Sequence, residues 1–227
     1  MLRERIDQVE ERIQRACGRA GRKREEITLV AVTKKFSPQV MLEAYGCALR
    51  VFGENYVQEF ERKRPELGSM TGAQFHFIGH LQSNKTRVAA EIFDVVETVD
   101  SEKIARRLDQ AAGEMGRTLG VMLEVKLSGE ESKAGVDVSE LPALIEAVRS
   151  CPKLRLDGLM TMPPWSDDQE QTRPYFKKLA ALAREQGLAK LSMGMSHDFE
   201  AAIEEGATHI RVGTALFGPR PKPTIVI

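Results

Sequence analysis

The chain has 227 residues, a length that suits one large α/β domain or two small ones. Apolar residues make up 42% and charged residues 29%, with 33 lysines and arginines against 33 aspartates and glutamates, so no global field draws the chain to nucleic acid or to an anionic membrane. No apolar run approaches the roughly 20 residues of a spanning helix. The start, MLRERIDQVEERIQRACGRAGRKR, is rich in acids and has no apolar signal core. Cys17, Cys47 and Cys151 are odd in number and lack metal-site spacing, which fits a reducing cytosol.

Leu2, Ile6, Val9 and Ile13 recur at helical spacing, and Cys17 continues the stripe, predicting an amphipathic N-terminal helix within residues 1–24 that must pack on something. Gly18, Gly21 and the run from Arg22 to Arg24 end it, and that run reads as a solvated turn. Residues 27–35, ITLVAVTKK, are apolar and β-branched almost without a break and close on two lysines. Such a run suits a strand covered on both faces, as in a parallel sheet. A lysine at its end stands at the edge of a core, where partial burial favours the neutral amine that attacks carbonyls; position alone favours two solvated strand-end lysines, since most lysines are exposed.

Strand and helix then alternate. Ser37-Pro38 opens a helix to Tyr45. Strands are predicted at 49–52, 75–78, 93–99, 121–127, 154–160, 191–193 and 209–212. Helices follow them up to Arg64, at 84–90, to Met115, at 139–150, at 167–186 and at 198–205. Pro174 either kinks the 167–186 helix or marks its true start. Eight strands, each followed by a helix or helical turn, predict a single (β/α)8 barrel domain with an extra N-terminal helix; an open doubly wound sheet is the competitor. Residues 219–227, with three prolines, are expected to be an extended surface tail.

In such a barrel the chemistry sits at the carboxyl ends of the strands. The loops after the seventh and eighth predicted strands read SMGMSHD and RVGTALFG. Gly194 and Gly213 permit close backbone approach, Ser196 and Thr214 offer hydroxyls, and free amides at a helix start bind anions. Ser196 is also a natural cap for the helix that follows. A phosphate site facing a strand-one lysine points to pyridoxal 5′-phosphate, whose aldehyde needs a lysine, whose phosphate needs an anion site and whose ring nitrogen needs a partner. Arg211 is placed to face that nitrogen and, as a donor that keeps its charge, would leave it unprotonated; the structural alternative is a salt bridge to Glu204 or Glu205.

The segments VAVTK, FGENYVQE, FHFIGHLQSNK, SGEESKAGV, GLMTM and LSMGMSHDFEAAIEEGATHIRVGTALFG together resemble the YggS/PROSC family of pyridoxal-phosphate homeostasis proteins, in order and over nearly the whole chain. The resemblance implies a barrel similar to the N-terminal domain of alanine racemase, the fold-type III arrangement, with the cofactor held as a Schiff base on Lys34. Threonine before that lysine departs mildly from the more usual serine, and Lys35 stays the lesser candidate. It further implies phosphate contacts at Ser196, Gly213 and Thr214, Arg211 near the ring nitrogen, and Asn55 and Met160 lining the pocket. His80 is a weaker match, as apt to brace loops as to touch a ligand.

The resemblance implies a protein that manages cofactor supply without established catalysis, with pyridoxal phosphate as its ligand; the cysteines place it in the cytoplasm, a monomer is expected because a dimer-building second domain is not seen, and cofactor-requiring apoenzymes or amino acids are the further partners. Racemisation would need a second proton carrier besides Lys34. Of Tyr45, Tyr56 and Tyr175, only Tyr56 closely follows a strand. A weak amino-acid racemase, and a barrel enzyme acting on a phosphorylated metabolite without pyridoxal phosphate, are the competing functions.

Overall fold

The computed structural model describes residues 1–128 and 134–219; most of the SGEESKAGV loop and all but the first residue of the 219–227 tail lie outside the described residues. Eight parallel strands close into a barrel: β1 (Thr28–Val32), β2 (Val51–Glu54), β3 (Gln74–Phe77), β4 (Val95–Val99), β5 (Leu119–Lys126), β7 (Leu154–Met160), β8 (Lys190–Met195) and β9 (His209–Val212). Closure is made where β1 pairs β9, with Val30 opposite Arg211, and where β4 pairs β5. An open doubly wound sheet would leave two edges; this ring leaves none. A further strand, β6 (Val136–Asp137), pairs only with the carboxyl end of β5. Two residues carry no readable alternation, so no sequence pattern announces it.

The strands alternate as a pleated sheet demands. Leu29, Ala31, Phe52, Phe77, Val96, Val121, Leu123, Leu159, Leu191, Met193, Ile210 and Val212 belong to the continuous apolar core shared with the surrounding helices. The alternate residues turn to the lumen. There Val30, Met122 and Met160 share space with His76, Glu97, Glu124, Ser192 and Arg211, all buried. The helices are α1 (Leu2–Ala20), α2 (Pro38–Gly46), α3 (Val57–Lys63), α4 (Thr86–Ile92), α5 (Glu102–Glu114), α6 (Leu141–Arg149), α7 (Gln169–Glu185), α8 (Phe199–Glu204) and α9 (Thr214–Phe217). Pro174 lies inside α7, and the helix begins five residues earlier, at Gln169, behind the Asp168 cap.

Helix α1 buries Ile6, Val9, Ile13 and Cys17 and packs on α8 and α9. The arginines that follow it do not form the expected solvated turn. Arg22 donates to the carbonyl oxygens of Ile203 and Ala207 at 2.9 and 2.7 Å, and Arg24 makes a two-pronged pair with Glu10 at 2.7 Å on each prong. The carbonyls at and just past the end of α8 need donors, and Arg22 supplies them from the turn that follows α1. Among the described residues no helix is long and apolar enough to cross a membrane.

Candidate functional site

A cavity of about 240 Å³ opens at the carboxyl ends of the strands, and Lys34, Asn55, Ser196, Arg211, Gly213 and Thr214 all line it. Met160 does not. It is fully buried on β7, opposite Glu124 and Ser192 in the register. Because β7 ends at Met160, the residues that reach the cavity come from the extended stretch beyond it, and Met162 and Trp165 take that wall. His80 is exposed, stands 3.7 Å from Asp100 and lines a neighbouring hollow.

Strand β1 stops at Val32, so the lysine stands on a turn rather than on the strand. Thr33 accepts from the Phe36 amide at 3.1 Å, and Lys35 at the third position has φ 65, the geometry of a turn that prefers glycine there. The two lysines thereby separate. Lys34 is half-buried in the cavity wall; Lys35 is exposed, and its amide donates to Glu59 at 2.6 Å. Alternation along a strand could not have made that distinction.

Lys63 of α3 holds this turn from below. Its buried ammonium donates to the Thr33 carbonyl at 3.0 Å and pairs with Glu54 at 2.9 Å and Glu59 at 2.5 Å. Glu54 also accepts from the Thr33 hydroxyl at 2.8 Å. Burial pushes the Glu54 carboxyl up, against the opposing pull of Lys63 and Thr33.

In the same cavity, past β8, the Ser196 hydroxyl oxygen accepts from the amides of Gly213 and Ala215, each at 3.3 Å. It is not the cap of α8: that position belongs to Asp198, whose carboxylate accepts from the Met195 amide at 2.6 Å. Gly194 has φ 89, and a Cβ there would lie 2.5 Å from Ala202, so only glycine lets this loop turn against α8. Gly213 is different, since a Cβ would meet Val32 only at ordinary contact distance; close backbone packing does not explain it. From outside, Arg12 of α1 stacks over Phe199 at 4.3 Å, donates to the Ser196 carbonyl at 3.4 Å and pairs with Glu200.

Arg211 forms the floor. It donates to the Ser192 hydroxyl at 2.7 Å and the Thr161 carbonyl at 2.9 Å. Glu204 and Glu205 are engaged by Arg173 instead. Burial draws the Arg211 guanidinium down, and Glu97, Asp198 and Glu124 oppose that. Burial would raise Glu97, but its hydrogen bond to His76 and the charges of His76, His209 and Arg211 hold it at about 2.

A family model described as alanine racemase, N-terminal domain, matches residues 5–221. The pyridoxal phosphate homeostasis protein of Aquifex aeolicus is 43% identical over 96% of this chain and 97% of its own length. That of Pseudomonas aeruginosa is 46% identical over 96% of each. The chain belongs to the pyridoxal phosphate homeostasis protein family. Among solved structures, PipY of Synechococcus elongatus with PLP bound superposes with a TM-score of 0.86 at 37% identity, covering 96% of this chain and 100% of PipY. Alanine racemase from Clostridium difficile superposes at 0.71 with 15% identity, over 98% of this chain and 57% of the racemase, and shares the fold.

For this member of the family, sequence reading missed Glu54, Lys63, Met162, Trp165 and His197. Glu54 carried a usable signal: an acid at a strand end on the active face needs a partner, and Lys63 stands nine positions on, one helical turn from Glu59.

Proposed function

We propose that the cavity binds pyridoxal 5′-phosphate through a Schiff base on Lys34, and that the protein stores and hands on this cofactor in the cytoplasm without turning it over. The observation that carries the reading is that Lys34, Ser196 and Arg211, from three separate parts of the chain, line one cavity. The residues fit the group. The amides of Gly213 and Ala215 already converge on one oxygen, Ser196 Oγ, as they would on a phosphate oxygen. Arg211 can only donate, which matches an unprotonated ring nitrogen. The Asn55 side-chain oxygen is a buried acceptor in the same wall with no hydrogen-bond partner among the described residues, able to take a ligand hydroxyl. When bound, the cofactor supplies an aldehyde for amines and a conjugated ring that takes up charge; donation from Arg211 weakens that second ability, which favours holding over chemistry. Family membership and the PLP-bound PipY structure support the assignment. We further infer one barrel domain acting as a monomer, its other partners being apoenzymes that need the cofactor.

Borohydride treatment of the protein incubated with pyridoxal phosphate tests this. The expected result is a reduced adduct on the peptide carrying Lys34 and none in Lys34→Ala. A protein that stays colourless and unlabelled overturns it.

One observation favours weak amino-acid chemistry as the second reading. None of the three tyrosines lines the cavity, but His197 does, and a histidine in the same cavity as Lys34 is a candidate second proton carrier. Exchange of the alanine α-hydrogen in deuterated water, lost in His197→Ala, would establish it.

A further inference from the structure

Arg211 is 3% exposed and carries its charge inside the barrel. Such a charge needs compensation, and no carboxylate touches it among the described contacts. Asp198 and Glu124 act on it through space, and its hydrogen-bonded route to a carboxylate runs through a hydroxyl. Ser192 Oγ accepts from Arg211 at 2.7 Å and lies 2.5 Å from Glu97 Oε2. The direction of this chain is fixed by chemistry. Arg211 cannot accept, so the serine proton must point to Glu97. Glu97 is fully buried on β4, across the lumen from β8 and β9. Its other oxygen lies 2.6 Å from His76 Nδ1 on β3. With the carboxylate ionised, both of its oxygens accept, and His76 donates from Nδ1. Arg211 is tied at its second prong to the Thr161 carbonyl, just past β7. The guanidinium is therefore held from β7, β8 and, through Ser192, β4. The chain ends where His76 and His209 line a polar hollow of about 230 Å³ at the amino ends of the strands.

We propose that Glu97, acting through Ser192, is a positioning residue for the cofactor: it supplies the counter-charge that fixes Arg211 with its remaining N–H groups toward the ring nitrogen. The proposal rests on the cofactor reading above for what Arg211 faces, but not for the relay itself. Apolar side chains of similar volume would fill a barrel lumen at no loss of stability, and often with a gain. Four polar groups in series across it are explained by the orientation they enforce at their upper end.

The test uses Glu97→Gln, which keeps the shape and removes the charge, and Ser192→Ala, which removes the bridge and keeps both charges. In the unloaded protein, the guanidinium protons of Arg211 should exchange slowly by NMR, and roughly tenfold or more faster in each variant, as expected for losing one charge-assisted hydrogen bond. In the loaded protein, both variants should shift the visible absorption band in the direction given by Arg211→Ala and bind pyridoxal phosphate roughly tenfold or more weakly. Should Glu97→Gln fail to fold, Ser192→Ala decides alone. Wild-type exchange in a folded variant overturns the relay. A wild-type band and affinity in a variant with loosened Arg211 overturns its role toward the cofactor. A wild type that takes up no cofactor while the exchange rates differ as expected overturns the cofactor reading and leaves the relay standing.

Discussion

The ammonium of Lys63 lies 3.0 Å from the carbonyl oxygen of Thr33, the residue immediately before Lys34. The turn that presents the side chain proposed to carry the cofactor is thus held in place by a second, buried lysine. Removing one member of a buried ion pair leaves the other charge uncompensated, at about 3–5 kcal/mol. Lys63→Met should therefore lower stability by that order in a denaturant titration. At a temperature where the variant is still folded, borohydride labelling of Lys34 should also slow. Unchanged labelling would mean that the turn keeps its shape without this anchor.

Burial, with Asp100 adding to it and Arg211 opposing, pushes the carboxyl of Glu124 from 4.5 up to about 7. Among the described residues its Oε2 atom has no hydrogen-bond partner. A raised carboxyl means that the folded state holds its proton while the unfolded state has lost it, so this group's contribution to stability falls as pH rises from about 4.5 to about 7. Glu124→Gln removes that slope. Wild type and variant should match near pH 4, and the variant should be the more stable above pH 7, by at most about 3 kcal/mol. The difference curve is the quantity to measure. His209, which burial lowers to about 4, has the opposite slope between about 4 and 6.5 and cancels in the difference.

Ser196 gathers the amides of Gly213 and Ala215. If these groups read the phosphate, Ser196→Ala should weaken binding of pyridoxal phosphate and leave the already weak binding of pyridoxal, which has no phosphate, nearly unchanged. Spectral titration with both compounds measures this. Equal losses for the two would place Ser196 elsewhere in the recognition.

The chain has one tryptophan, and it stands in the cavity wall, 67% exposed and 5.9 Å from the His197 ring. Cofactor capture should quench Trp165 emission in proportion to occupancy, and Trp165→Phe should remove the signal while keeping the absorption change. Emission that ignores saturating cofactor would argue against the proposed pocket.

The barrel was legible because parallel strands buried on both faces write themselves as continuous apolar runs, and because glycines and serines gather where those runs stop. Lys34, Ser196 and Thr214 could be read for the same reason: they sit just past strand ends. The lumen could not. In VVETV the glutamate of β4 is one polar letter in an apolar word, and nothing in the word says that it crosses the barrel to serve Arg211. Lys63 in the run Glu61-Arg62-Lys63-Arg64 looks like any charge on a surface helix, and only the fold turns it inward. Arg22 was misread for the matching reason: a basic run after a helix is usually solvated, and the acceptors that bury this one lie about 180 positions away in sequence.

The seam between β1 and β9 is where the barrel's first and last strands zip together, Val30 beside Arg211. Lys34 stands just past one side of that seam and Thr214 just past the other. A cofactor bonded to the first and hydrogen-bonded near the second, as proposed above, would work as a clasp across a hoop. It would fasten only a hoop that is already closed, so loading would mark chains whose distant ends have met and shift the balance away from opening. Giving the cofactor away undoes the same clasp. Donor copies should then be the ones that exchange amide hydrogens along β1 and β9 first, which would make the state of the cell's cofactor reserve readable in how tightly this barrel is shut.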